Sequence, residues 1–314
     1  MRSIPLTSDR NLSVIGLGAW PLAGMAGDRK ISSDEADQIV RQALACGITH
    51  FDTAFCYGLN GESEQCLART VPRQPEFTIA TKGGVVWQNG KQVRTGNPAA
   101  IREQCELSLQ RLNRDCLDLY YLHAPDPAVP IAESAGAFHE LIRAGKIRRA
   151  AACNLSTSQL AEFHAECPLS AVQGQLNLLQ RELEQDIIPW CVQHQVPFFA
   201  FRPLMTGLLN RDRSHRFETA DPRSRVLLWQ DQGWEHLHDQ LDRLKEQLRN
   251  TTWTLPQIAI AWVLSRPGVS GVLCGATRPE QVAEVAGASE LPIDAELLVH
   301  LLDQDGSAGR TFRD

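Results

Sequence analysis

Short runs of β-branched and apolar residues recur along this chain, separated by longer segments in which apolar positions return every three or four residues. The short runs predict buried strands and the longer segments amphipathic helices; their alternation is that of βα units around a parallel sheet. Strands are expected at 14–17, 49–52, 77–81, 117–122, 148–153, 171–176, 197–201 and 271–274. Helices are expected at 33–46, 98–112, 131–144, 157–166, 183–194, 255–265 and 279–286. The first helix has a defined start and stop, a capping signal in Ser32-Ser33-Asp34-Glu35 and a terminator in Gly47.

Eight strands, each followed by a helix, fit a (β/α)8 TIM barrel better than a doubly wound open sheet, with residues 1–314 as a single domain. Two regions fall outside the alternation. Residues 5–12 predict an N-terminal β-hairpin with its turn at Ser8-Asp9-Arg10-Asn11, and residues 203–232 form a long polar connection after the seventh strand. In a barrel a loop that follows a strand lies on the catalytic face.

Composition narrows the function classes. A 43% hydrophobic, 22% charged chain of 314 residues can bury a large core, and a net charge of -6 speaks against nucleic acid or an anionic membrane as the partner. The start of the chain lacks a signal-peptide core, and no apolar run approaches the roughly 20 residues that span a bilayer. A cytoplasmic protein acting as a monomer is the default expectation. The nine cysteines include no C-x-x-C pair and no His partners at zinc spacing, so reduced thiols and no metal site are expected.

Candidate chemistry gathers at the strand ends. Asp52 ends the second strand and Tyr57 follows it in Phe51-Asp52-Thr53-Ala54-Phe55-Cys56-Tyr57-Gly58; Lys82 follows the third strand and His123 the fourth. Singly, each has an ordinary reading, as a cap, a solvated loop residue or a hydrogen-bonded core group. Together, at one end of three successive strands, they form a proton donor for carbonyl reduction. Tyrosine needs help to exchange a proton at neutral pH; a lysine ammonium stabilises its phenolate, an aspartate holds the lysine, and a histidine orients the substrate oxygen. Trp20, Phe55 and Trp87 come from three loops on the same face and are expected to wall a substrate pocket with Tyr57 and His123. His236-Leu237-His238 reads as a solvated helix surface.

Over nearly its whole length the chain resembles the aldo-keto reductase family. Ile15-Gly16-Leu17-Gly18-Ala19-Trp20 is similar to that family's first-strand segment, and Gly47 through Gly58 to its G-x-x-x-x-D-T-A-x-x-Y-G signature. The resemblance implies the barrel fold and a catalytic set of Asp52, Tyr57, Lys82 and His123, with Tyr57 as general acid. It also implies a bound NADPH/NADP+ and a small aldehyde or ketone as substrate.

Carried along the second half of the chain, the same resemblance places Gly18, Trp20 and Asp52 beside the cofactor and Asn154 and Gln173 on the nicotinamide carboxamide. Phe201 would stack on the ring, and Arg202, Pro203, Leu204 and Gly207 belong to the loop that follows. Gly275, Thr277, Arg278, Gln281 and Glu284 would hold the adenosine end at a helix N-terminus. Cys153 stands where the family has serine, Arg202 where it usually has serine, and Val285 where asparagine is common. Gly16-Leu17-Gly18 is not a Rossmann fingerprint, because the third glycine is missing. The competing readings are a nucleotide-bound redox-sensing or regulatory subunit of the same fold, and a metal- or phosphate-dependent barrel enzyme, which the missing ligand clusters oppose.

Overall fold

The chain first forms an antiparallel hairpin of β1 (Ser3–Thr7) and β2 (Arg10–Ser13). In the computed structural model, which describes residues 1–7, 10–24, 30–210, 214, 233–249 and 251–291, ten strands follow. They are β3 (Ile15–Gly18), β4 (His50–Asp52), β5 (Thr78–Gly83), β6 (Val85–Gln88), β7 (Lys91–Arg94), β8 (Leu119–Leu122), β9 (Ala150–Cys153), β10 (Leu169–Gln175), β11 (Phe198–Phe201) and β12 (Val269–Cys274). Eight of these, in the order β3-β4-β5-β8-β9-β10-β11-β12, close into a barrel in which every pairing is parallel. This is the (β/α)8 architecture that the alternation predicts.

Strand periodicity separates two cores. In β8, Leu119 and Tyr121 point into the barrel, where they join Ala80, Ala151, Cys153, Ala171 and Phe199. Tyr120 and Leu122 point outward into the layer shared with the helices. Leu6 and Leu12 of the hairpin belong to the inner cluster, so the hairpin closes one end of the barrel. The opposite end, where β4, β5 and β8 finish, stays open to carry the polar groups.

The outer layer is made by α1 (Ser33–Ala45), α2 (Glu62–Thr70), α3 (Pro98–Leu112), α4 (Ile131–Arg143), α5 (Thr157–Glu166), α6 (Ile187–Gln193), α7 (Gly233–Leu248), α8 (Leu255–Ser265) and α9 (Pro279–Gly287). The Ser32–Glu35 capping box forms as expected. Ring contacts bind neighbouring elements: Phe138 of α4 stacks on Tyr120 at 5.0 Å and meets Phe163 of α5 edge-on at 5.4 Å. No helix among the described residues is long and apolar enough to cross a membrane. All nine cysteines are free thiols, seven of them buried.

Several expectations are corrected. Arg10 and Asn11 pair in β2 instead of turning; the remaining turn residues, Ser8 and Asp9, lie outside the described residues. The helix expected over 183–194 is a 3-10 turn at Glu182–Glu184 followed by α6. Helices α2 and α7 and the β6–β7 hairpin were not anticipated. In α7, Trp234, Leu237, Leu241 and Leu244 form one apolar stripe against the core. His238 is 2% exposed beside Trp234, so the solvated reading of 236–238 fails for Leu237 and His238. Of the long connection at 203–232, Met205–Asn210 forms a 3-10 helix and most of the rest lies outside the described residues.

Candidate active site

At the open end of the barrel the last residue of β4 and the fifth of β5 share a buried ion pair. Lys82 Nζ donates to Asp52 Oδ1 and, at 2.8 Å, to the Thr53 carbonyl; the two residues are 2% and 3% exposed. The other carboxylate oxygen of Asp52 accepts a hydrogen bond of 2.6 Å from Gln173 Nε2 on β10, across the barrel. The loop after β4 is laid against β5 by backbone bonds from Thr53 N to Ala80 O and from Phe55 N to Lys82 O. That pinning returns the chain over the pair and sets Tyr57 at the mouth.

Tyr57 is partly exposed, with its ring centroid 5.4 Å from Lys82 Nζ and 5.8 Å from the His123 ring, edge to face. Burial, and after it the Asp52 carboxylate, push the phenol well above the ordinary tyrosine range, while the Arg202 guanidinium pulls the other way. Tyr57 is therefore protonated at neutral pH. His123 follows β8, its backbone N–H bound to Gly83 O at 2.8 Å. Burial, then the Lys82 ammonium, lower its imidazole from 6.5 to about 3, so the ring is neutral. Its Nδ1 lies 3.5 Å from the thiol of Cys56. The arrangement offers one protonated phenol and one neutral imidazole beside a charge pair that is already satisfied.

The aromatic residues divide. Trp87 packs with Tyr57 against Ala54, Cys56, Val85 and Ala124, and donates from Nε1 to Cys56 O at 2.8 Å. Trp20 stands 38% exposed at the start of a 3-10 turn, Pro21–Ala23. Phe55 is engaged elsewhere: the Arg111 guanidinium of α3 covers its ring at 4.2 Å and binds its carbonyl at 3.1 Å. The structure therefore brings Trp87 and Tyr57 to one apolar cluster, of which Phe55 is not part.

The cofactor candidates occupy the other half of the mouth. Asn154, in a left-handed conformation at φ 60° that asparagine tolerates, donates to His123 O at 3.0 Å and to Cys153 Sγ at 3.1 Å. Phe201 ends β11. Arg202 follows it, exposed and at φ 54°, with its carbonyl bound by Asn177 Nδ2 and its Nη1 donating to Gln175 Oε1 at 3.2 Å. Asp212 and Asp221, its alternative partners by sequence, lie outside the described residues. Pro203 and Leu204 lead into the 3-10 helix at Met205–Asn210, and Gly207 sits at φ 90°.

Gly18 and Gly275 face each other at the ends of β3 and β12, where a Cβ on Gly18 would come 3.6 Å from Gly275 N. Beyond them Gln281 Oε1 accepts from Thr277 N at 2.8 Å, and the exposed Arg278 caps α9 with no side-chain hydrogen bond to its first turn. Glu284 accepts on its backbone oxygen from Gln257.

Residues that the sequence did not single out support this end. Glu64 of α2, fully buried, accepts from Thr81 Oγ1 at 2.7 Å and pairs with Arg111 at 3.2 Å. Thr53 and Ser63 share a hydrogen bond of 2.8 Å, and Ser63 reaches Ala19 O. Cys56 and Gln92 join His123 through the unanticipated hairpin. No group of three His, Cys, Asp or Glu residues suited to a metal ion exists among the described residues.

Comparison with known proteins gives a consistent result. The sequence profile described as the Aldo/keto reductase family matches residues 14–301. An aldo-keto reductase of Bacillus subtilis is 34% identical over 88% of this chain and 85% of its own length. An NADH-specific methylglyoxal reductase of Escherichia coli is 30% identical over 95% of this chain and 97% of its own. Among solved structures, a glycerol dehydrogenase from Gluconobacter oxydans superposes with a TM-score of 0.88 at 31% identity, covering 96% of this chain and 94% of that one. The holo form of an aldo-keto reductase from Bacillus halodurans gives 0.77 at 28% identity, covering 96% and 95%.

Proposed function

Because this chain belongs to the aldo/keto reductase family of oxidoreductases, we propose that it is an NADPH-dependent reductase converting a small aldehyde or ketone to the alcohol. The observation that carries this reading is the protonated Tyr57 at the barrel mouth, between the neutral His123 and the buried Asp52–Lys82 pair. A reduced nicotinamide cofactor, when bound, supplies the hydride. Tyr57 Oη supplies the proton to the carbonyl oxygen, and His123 Nε2 orients that oxygen by a hydrogen bond. The phenolate left behind faces the Lys82 ammonium, which Asp52 holds in place. Trp87, which packs on the same apolar cluster as Tyr57, would wall the substrate side of the site.

The residues present fit such a cofactor. The first turn of α9 has no side-chain cap; Pro279 brings no N–H and Gln281 N donates to Arg278 O at 3.2 Å, which leaves the Glu280 N–H for a phosphate, with Arg278 exposed beside it. Gly18 and Gly275 let the ends of β3 and β12 and the Pro21 ring approach closely, and Asn154, Gln173 and Phe201 would hold the nicotinamide end. Trp20, Pro203, Leu204, Gly207, Thr277, Gln281 and Glu284 complete the proposed groove, with Arg202 at its diphosphate. NADPH is the favoured form because Arg278 offers a guanidinium fork to the extra phosphate.

The test is oxidation of NADPH and NADH against a panel of aldehydes and ketones that includes methylglyoxal, with glycerol and the oxidised cofactors for the reverse direction. We expect reduction with NADPH preferred. Tyr57→Phe should cut turnover at least 10²-fold while cofactor binding persists. Near-normal turnover in that variant would sink the assignment of the proton donor.

A further inference from the structure

The β6–β7 hairpin grips one residue of the site with a cross-strand pair. Trp87 and Gln92 are directly opposite each other in the hairpin register. Trp87 Nε1 donates to the carbonyl of Cys56, and Gln92 Nε2 donates to its sulfur at 3.8 Å. The thiol, 2% exposed, is thereby held 3.5 Å from Nδ1 of His123. The remaining contacts of His123 are made elsewhere: Asn154 binds its carbonyl, Gly83 accepts its backbone N–H, and Tyr57 offers only a ring edge-on. Cys56 Sγ is thus the side-chain partner recorded for Nδ1.

A neutral imidazole has one N–H, and a partner at one nitrogen decides where the proton sits. Gln92 can only donate at its Nε2, so it occupies a lone pair of the sulfur and leaves the S–H to point elsewhere. Burial first, offset in part by Lys82, keeps the thiol protonated by pushing it up to about 12. An S–H aimed at Nδ1 makes that nitrogen the acceptor and places the imidazole proton on Nε2.

We propose that Cys56, clamped by Trp87 and Gln92, is a positioning residue that donates its S–H to His123 Nδ1 and so keeps the proton on Nε2, ready to meet a substrate oxygen. The role of Nε2 rests on the reductase reading above; the tautomer itself does not. The opposite tautomer would leave Nε2 bare and repel a carbonyl oxygen.

The experiment is nitrogen NMR of the 15N-histidine-labelled full chain without substrate, with the His123 signals assigned by their loss in His123→Gln. The wild-type protein should show a pyridine-type Nδ1 and a pyrrole-type Nε2 at His123. A pyrrole-type Nδ1 in the wild type overturns the proposal whatever any variant does. Cys56→Ala should mix the tautomers and lower kcat about tenfold, the effect of losing one oriented hydrogen bond, with cofactor KM unchanged. Cys56→Ser, which keeps a donor on a shorter bond, should restore the tautomer partway.

An alanine variant with the wild-type tautomer, or a serine variant no better than alanine, also overturns the proposal. Should Cys56→Ala fail to fold, Gln92→Ala, an exposed change, should still shift the His123 Nδ1 signal, and an unmoved signal counts against the clamp. Absence of any reductase activity alongside the expected tautomer would remove the functional reading alone.

Discussion

The two halves of the barrel mouth solve opposite problems. On the side of β4, β5 and β8, charges are buried and satisfied by one another: Asp52 holds Lys82 and Gln173, and Glu64 holds Thr81 and Arg111. On the side of β11, β12 and α9, the charged groups Arg202 and Arg278 are exposed, and α9 begins without a side-chain cap. A buried pair must be complete before any ligand arrives, because an unpaired buried charge costs several kcal/mol. An exposed arginine beside an uncapped helix start costs little to leave waiting for an anion. On the proposed function the first half is a preassembled reaction centre and the second a docking surface, and substitutions in the two should separate stability from binding.

The sharpest division should come from Lys82→Met. It leaves Asp52 buried with Gln173 as its remaining side-chain partner among the described residues, and should lower stability by about 3–5 kcal/mol by denaturant unfolding as well as abolishing turnover. A fully stable but inactive Lys82→Met would mean the pair serves chemistry alone. The next effect is a pH dependence. His50 of β4 is fully buried in the barrel, its two ring nitrogens without a hydrogen-bond partner among the described residues, and burial lowers it from 6.5 to about 4. Because the folded protein resists protonation that the unfolded chain accepts, its contribution is complete above about pH 6.5 and is lost progressively down to about pH 4, about 3 kcal/mol in all. His50→Leu should flatten that part of the stability profile, leaving the share of His123; an unchanged profile would show that His50 does not titrate there.

In the docking half, Arg278→Ala should leave unfolding unchanged and erode the NADPH preference by about 1–3 kcal/mol, the worth of a hydrogen bond to a charged group. Equal kcat/KM with both cofactors in the unmodified protein would remove Arg278 from this role.

The reaction-centre half was also the more legible in the sequence, for a physical reason. Asp52, Lys82 and His123 sit at the ends of strands whose apolar runs are unmistakable, so the strand pattern alone placed them at one end of the barrel. The groups that support them were hidden. Helix α2 buries Ser63 and Glu64 along with Cys66 and Leu67, and a helix whose buried face is half polar shows no apolar period. The β6–β7 hairpin did carry a signal, Asn89-Gly90 between Val85-Val86-Trp87 and Val93, and those two residues take the positive φ values of 51° and 73° that such a turn requires. It was obscured by the expectation of one strand and one helix per unit. Helix α7 was missed although its apolar stripe was present, and the burial of His238 depends on Trp234 one turn away. The ring of Phe55 was assigned to the pocket from its loop alone; only the fold reveals Arg111 above it.

Arg202 belongs to both halves and so tests where the division lies. Its exposed guanidinium is bonded to Gln175, yet its charge is felt at Tyr57, where it opposes the upward push of burial and Asp52. Its backbone is held in a left-handed conformation, with the carbonyl tied to Asn177. If the residue serves docking, Arg202→Ser should weaken NADPH and NADH binding alike, because both carry a diphosphate. The loss should be about 1 kcal/mol, because the exposed group is screened by solvent and already holds a hydrogen bond to Gln175. The salt dependence of cofactor binding should flatten with it. Loss of its charge should also raise Tyr57 further, moving any alkaline limb of alcohol oxidation to higher pH. A variant that binds both cofactors as before but unfolds more easily would assign Arg202 to the Gln175 contact, and would move the boundary of the docking half past β11 to α9 alone.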